Sequence, residues 1–127
     1  MSTGDVCHIE FPTTDLAASR RFYGEIFGWR FEEIPGMAGY ALFTTPSGLG
    51  GGIDGSERAE PPSERGPILH LEVEDIDATL ERIEAAGGRT VIPKTKISDE
   101  FGFYALFLDN VGNRLGVWSR SSSSPTG

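Results

Sequence analysis

Hydrophobic and polar residues alternate with a period of two at the start of each half of this chain. Cys7, Ile9 and Phe11 alternate with His8, Glu10 and Pro12, and Leu69, Leu71 and Val73 alternate with Ile68, His70 and Glu72. That period marks a strand with one face on a core. A helical pattern follows each strand. Asp15 is placed to cap a helix over 16–27 with the apolar stripe Leu16, Tyr23, Ile26 and Phe27. Asp75 is placed to cap a second over 76–86, with Ile76, Leu80 and Ile83 on one face and Gly87-Gly88 as its stop. Three short strand patterns then follow in each half, over 29–34, 39–44 and 49–54, then 89–97, 103–108 and 114–119. Turn residues such as Pro35-Gly36 and Pro46-Ser47-Gly48 separate them.

The halves repeat in residues as well as in pattern. Tyr-Ala-Leu-Phe occurs at Tyr40 and again at Tyr104, and at the same interval Gly52 pairs with Gly116 and Ile53 with Val117. Upstream, Asp15-Leu16 aligns with Asp75-Ile76, and Gly28 with Gly88. A supersecondary unit written twice makes corresponding positions equivalent. The expected fold is α+β: two tandem βαβββ modules in one curved, mixed, eight-stranded sheet with the helices on its outer face. A single domain over 5–119 is expected, with module one at about 5–54, a connector at 55–67 and module two at about 68–119. A mobile Ser-rich tail over 120–127 follows.

Composition narrows the partners. The net charge of −8 argues against nucleic acid and anionic membrane, and no apolar run reaches the length of a membrane span. Nothing at residues 1–5 reads as a signal peptide, and Cys7 is a lone cysteine, so a cytoplasmic location is expected. If the apolar positions of the strands meet the helices, Cys7 is inert packing beneath them. His8, Glu10, Ile68, His70, Glu72, Arg114, Gly116 and Trp118 then share the opposite face. A concave face with a few polar groups and aromatics suits a small organic ligand. On it Trp118 is placed to stack on a flat ligand. Arg114 is placed to clamp an anion or to pair with Glu10 or Glu72. Gly50-Gly51-Gly52 is read as a backbone-lined wall.

These residues resemble the vicinal oxygen chelate superfamily, which includes glyoxalase I, extradiol dioxygenases and the fosfomycin- and bleomycin-resistance proteins. The resemblance rests on His8-Ile9-Glu10-Phe11-Pro12, Arg21-Phe22-Tyr23 and Phe27-Gly28-Trp29. In the second half it rests on Val73-Glu74-Asp75-Ile76, Pro93-Lys94-Thr95 and Asn110-Val111-Gly112-Asn113-Arg114-Leu115-Gly116. It implies a metal held by the first and fourth strands of each module, at His8, Ile68, Gly52 and Gly116. One of those four places carries a donor, so the resemblance implies a binding protein without metal, similar to the bleomycin-resistance branch. A homodimer is implied by the same analogy. The alternative is a lyase, isomerase or dioxygenase holding Zn, Mn, Fe or Ni on a displaced set, His8, Glu10, His70 and Glu72. A third reading makes Glu10 and His70 a metal-free acid–base pair.

Overall fold

Asp15 and Asp75 cap the two helices as the sequence predicts. Each carboxylate accepts a hydrogen bond from the backbone N–H three residues on, Ala18 and Ala78, at 3.0 Å. In this computed structural model, which describes residues 3, 6–57 and 59–121, helix α1 spans Leu16–Phe27 and α2 spans Ile76–Ala85. Helix α1 stops at Gly28, whose φ of 72° lets its N–H turn back to the Gly24 carbonyl. After α2, the Gly88 N–H reaches the Ile83 carbonyl at 2.8 Å, with Gly87 at φ 99°.

The strands are β1 (Ile9–Pro12), β2 (Arg30–Glu33), β3 (Tyr40–Thr44), β4 (Gly50–Asp54), β5 (His70–Glu72), β6 (Arg89–Ser98), β7 (Gly102–Leu108) and β8 (Arg114–Ser119). The element order is βαβββ twice, as expected. Hydrogen bonding closes within each module, giving two four-stranded mixed sheets, β1-β4-β3-β2 and β5-β8-β7-β6, where one continuous sheet was expected. In each sheet the first strand pairs parallel to the last, and the other pairings are antiparallel. The chain divides between Pro62 and Ser63 into two compact units, inside the expected connector. The tail expected to be mobile lies, from residue 122 on, outside the described residues, as does most of the segment read for a signal peptide.

Module one is built on stacked aromatic rings. Phe43 stacks on Trp29 at 4.3 Å between centroids, and Trp29 on Tyr23 at 4.6 Å. Phe11 closes the group beside both Tyr23 and Trp29. Helix α1 buries Ser19, Phe22 and Tyr23, so its inward face lies slightly around from the predicted stripe. The shift has a polar cause that hydropathy cannot show: Ser19 Oγ and Thr13 Oγ1 share a buried hydrogen bond of 2.7 Å. Module two follows the expected pattern closely. Ile76, Leu80 and Ile83 are buried, together with Ala105, Phe107, Leu115 and Val117.

One apolar expectation needs correcting. Cys7 is exposed, because regular pairing of β1 begins at Ile9 and no ladder holds the residue before it against a helix. Phe101 is exposed as well, in the turn before β7.

Candidate functional site

Two helix-averted sheet faces carry the predicted site residues, one in each module. In module one, parity and register place Glu10, Gly52, Leu42 and Glu32 in one row across the sheet. Gly50, Thr44 and Arg30 form the neighbouring row, with His8 just before β1. An open groove of about 570 Å³ runs over this face, lined by His8, Arg30, Glu32, Leu42, Thr44 and Gly50 among others. The glycines divide the labour. A Cβ on Gly51 would meet the Ile9 carbonyl and the Phe43 ring on the helix side. On Gly52 it would overlap the Tyr40 hydroxyl. On Gly50 it would find nothing nearer than the Phe43 carbonyl at 3.6 Å, so Gly50 is open floor.

Tyr40 lies over Gly52 and ties His8 to Glu10. Its hydroxyl donates to Glu10 Oε1 at 2.8 Å and lies 3.0 Å from His8 Nε2. His8 Nε2 and Glu10 Oε1 are themselves 3.9 Å apart. A phenol has one proton, and here it goes to the carboxylate. The oxygen must therefore accept from His8, which places a hydrogen on Nε2. Neutral His8 then offers Nδ1 as an acceptor. Burial, and after it the hydrogen bond and charge of Glu10 and the charge of Asp54, push the Tyr40 hydroxyl up to about 12.

An alkaline titration should show this arrangement directly. An unfolded tyrosine releases its proton near 10.0, so between there and about 12 the unfolded state binds fewer protons than the folded one. The stability linked to Tyr40 is intact below pH 10.0 and is lost as pH rises towards 12. Phenolate absorbance and urea melts across that window should lose this late step in Tyr40→Phe. An unchanged titration in the variant would contradict the raised value.

In module two, His70 lies over Gly116, where an added Cβ would overlap its ring, and the His70 and Tyr104 rings are steeply inclined with centroids 6.4 Å apart. His70 is the repeat equivalent of Glu10, each five residues before its helix cap. Glu72 is exposed and stands in register with Trp118. Trp118 Nε1 donates to the Phe101 carbonyl at 2.7 Å, and the Arg120 guanidinium sits 5.5 Å from its ring. Arg114, foreseen as an anion clamp or an ion-pair partner, donates from Nη2 to the Gly66 carbonyl at 3.1 Å. Its role here is to tie the connector to β8.

Of the four places that the resemblance implies for a metal, His8 alone carries a donor side chain. Ile68 has no donor. Tyr40 covers the Gly52 place and holds His8 Nε2, and His70 covers Gly116. A structural or catalytic zinc needs at least three protein donors. Among the described residues no three His, Cys, Asp or Glu side chains form a group that could hold an ion. Sequence reasoning missed Tyr40, Arg30, Leu42 and Thr44 by following only the first and last strands of each module. The alternation of Tyr40, Leu42 and Thr44 with buried Ala41 and Phe43 was the available signal.

The chain has clear relatives. It is 26% identical over 114 residues to the CFP32 protein of Mycobacterium tuberculosis, spanning 87% of this chain and 43% of that one. It is 28% identical over 121 residues to the anthracycline biosynthesis protein DnrV of Streptomyces peucetius, spanning 84% of this chain and 43% of DnrV. The chain thus spans less than half the length of these curated relatives. The crystal structure of a glyoxylase/bleomycin resistance protein/dioxygenase domain from Frankia sp. superposes with a TM-score of 0.70 at 26% identity, covering 93% of this chain and 98% of that one. With the family model matching residues 6–117, the chain belongs to the Glyoxalase/Bleomycin resistance protein/Dioxygenase superfamily.

Proposed function

We propose that this protein binds a small organic molecule in the module-one groove and does so without the family's divalent metal. One observation carries the reading. The Tyr40 hydroxyl, lying over Gly52, engages both His8 Nε2 and Glu10, the groups a metal would have to recruit there. The groove beside it supplies an imidazole, a guanidinium, a carboxylate and a hydroxyl around an apolar Leu42. Polar groups placed beside apolar surface can fix the orientation of a small ligand. Arg114 and Trp118, bound to their own module's backbone, contribute less to ligand binding than the sequence suggests. A homodimer belongs to the same proposal: this chain matches less than half of CFP32 and of DnrV, and a second copy would supply comparable length. Among the described residues no helix is long and apolar enough to cross a membrane. A cytoplasmic setting is supported by the lone cysteine.

The test is elemental analysis of protein purified without chelator, followed by melts with Mn²⁺, Zn²⁺, Fe²⁺ and Ni²⁺. The expected result is no stoichiometric metal and no shift in melting temperature. A screen of small aromatic and polar compounds by NMR should perturb Arg30, Leu42, Thr44 and Gly50. Stoichiometric metal that is lost in both His8→Ala and His70→Ala would overturn the reading. It would favour a metal-dependent lyase, isomerase or dioxygenase on His8, Glu10, His70 and Glu72.

A further inference from the structure

We propose that the module-one groove selects hydroxylated aromatic compounds in their neutral form, with the ligand hydroxyl donating a hydrogen bond to Nδ1 of His8. This rests on the groove being the ligand site. Three independent features of the face point to that chemistry.

The first is the direction of the hydrogen-bond chain. Glu10 takes the Tyr40 proton, Tyr40 takes the His8 Nε2 proton, and the chain therefore ends in a lone pair on Nδ1. A ligand atom without a proton, such as an ether oxygen, would meet that lone pair with another. A hydroxyl meets it with a donor, and an unmatched polar group in a binding site is penalised more heavily than a matched one is rewarded.

The second is shape. Gly50 leaves the floor between β1 and β3 as bare backbone, with room above it for another atom. Leu42 offers an apolar wall on the same face. A flat ring can approach backbone that no side chain covers, while a bulky, branched ligand gains nothing from it.

The third is charge. Glu32 lines the groove, Glu10 stands in the same row of the sheet, and the chain carries a net charge of −8. That field disfavours a phenolate or carboxylate relative to the neutral phenol. Arg30 is the cation among the lining residues, and a guanidinium is suited to lying over an aromatic face.

The test uses the full chain in mildly alkaline buffer. Long-range hydrogen–nitrogen correlation NMR should first show His8 with its proton on Nε2 in the wild type. In Tyr40→Phe, which keeps the ring over Gly52, that tautomer should no longer dominate. Titrations with 2-naphthol, 2-methoxynaphthalene and 2-naphthoate, followed through Thr44 and Gly50 amide shifts, then compare the three chemistries. The naphthol should bind at least about fivefold more tightly than the ether, the size of one net hydrogen bond. Tyr40→Phe should narrow that preference without abolishing binding. A His8 proton on Nδ1, equal binding of the ether, or preference for the naphthoate would each overturn the proposal while leaving the groove a binding site. Failure of all three compounds to bind would also overturn it. The metal analysis and compound screen then decide separately whether the groove binds anything.

Discussion

Gly51→Ala is expected to destabilise the protein by about 3 kcal/mol or more, at the upper end of overpacking effects. Gly51 sits in β4 between β1 and β3, and its α-carbon faces the helix side. A methyl group there would overlap the carbonyl oxygen of Ile9 and the ring of Phe43. The carbonyl belongs to the backbone of a paired strand, so no rotamer change relieves the clash. The ring has little freedom either, because it is 2% exposed and stacked on Trp29, which is stacked on Tyr23. Relief would have to pass through the whole aromatic group or separate β1 from β4. Gly50→Ala, one residue away on the other face, is the control. Its added methyl has room, and replacing glycine within a strand lowers the entropy lost on folding, so stability should hold or rise slightly. Urea unfolding of the two variants measures the contrast. A Gly51→Ala protein within about 1 kcal/mol of wild type would mean that β1 and β4 do not approach as described.

Much of the fold is legible in the sequence because its signals are local. The caps at Asp15 and Asp75, the stop at Gly28 and the stripe of Ile76, Leu80 and Ile83 each depend on residues within a turn or two. The Tyr-Ala-Leu-Phe repeat adds a long-range constraint that few sequences offer, and it correctly aligned β3 with β7. The candidate site is less legible because register decides it. His8 and Glu10 can be placed on one face by alternation, but their partner Tyr40 is found only once β3 is known to pair with β4 so that Leu42 meets Gly52. The misplacement of Cys7 has a related cause. Alternation assigns a face only while the strand is paired, and β1 is paired from Ile9. Arg114 shows the reverse limit. Parity put it on the averted face, yet its reach to the Gly66 carbonyl depends on how the connector folds back, which no periodicity encodes. The family resemblance named the four places for a metal, and the structure shows which side chains cover two of them.

Gly50→Leu should remove ligand binding while leaving the fold intact, the largest functional effect expected from one substitution. Gly50 shares its face with Thr44 and Leu42, lies on the groove floor, and is opposed by no packed side chain. A leucine there would project into the space the ligand needs, between His8 on one side and Arg30 on the other. Four strands about 4.8 Å apart make the face roughly 14 Å wide. A branched side chain rising from its middle leaves no continuous floor for a ring. Compounds that perturb Arg30, Leu42 and Thr44 in the wild type should bind at least about a hundredfold more weakly, or about 2.7 kcal/mol. The melting temperature should stay within a few degrees of wild type, since the added group meets solvent in place of protein. This pairing of outcomes separates the groove from the rest of the surface. Loss of binding with a native melt supports the groove as the site. Retained binding in a folded Gly50→Leu protein would move the site elsewhere, and the His8–Tyr40–Glu10 chain would then be a structural tie between β1 and β3.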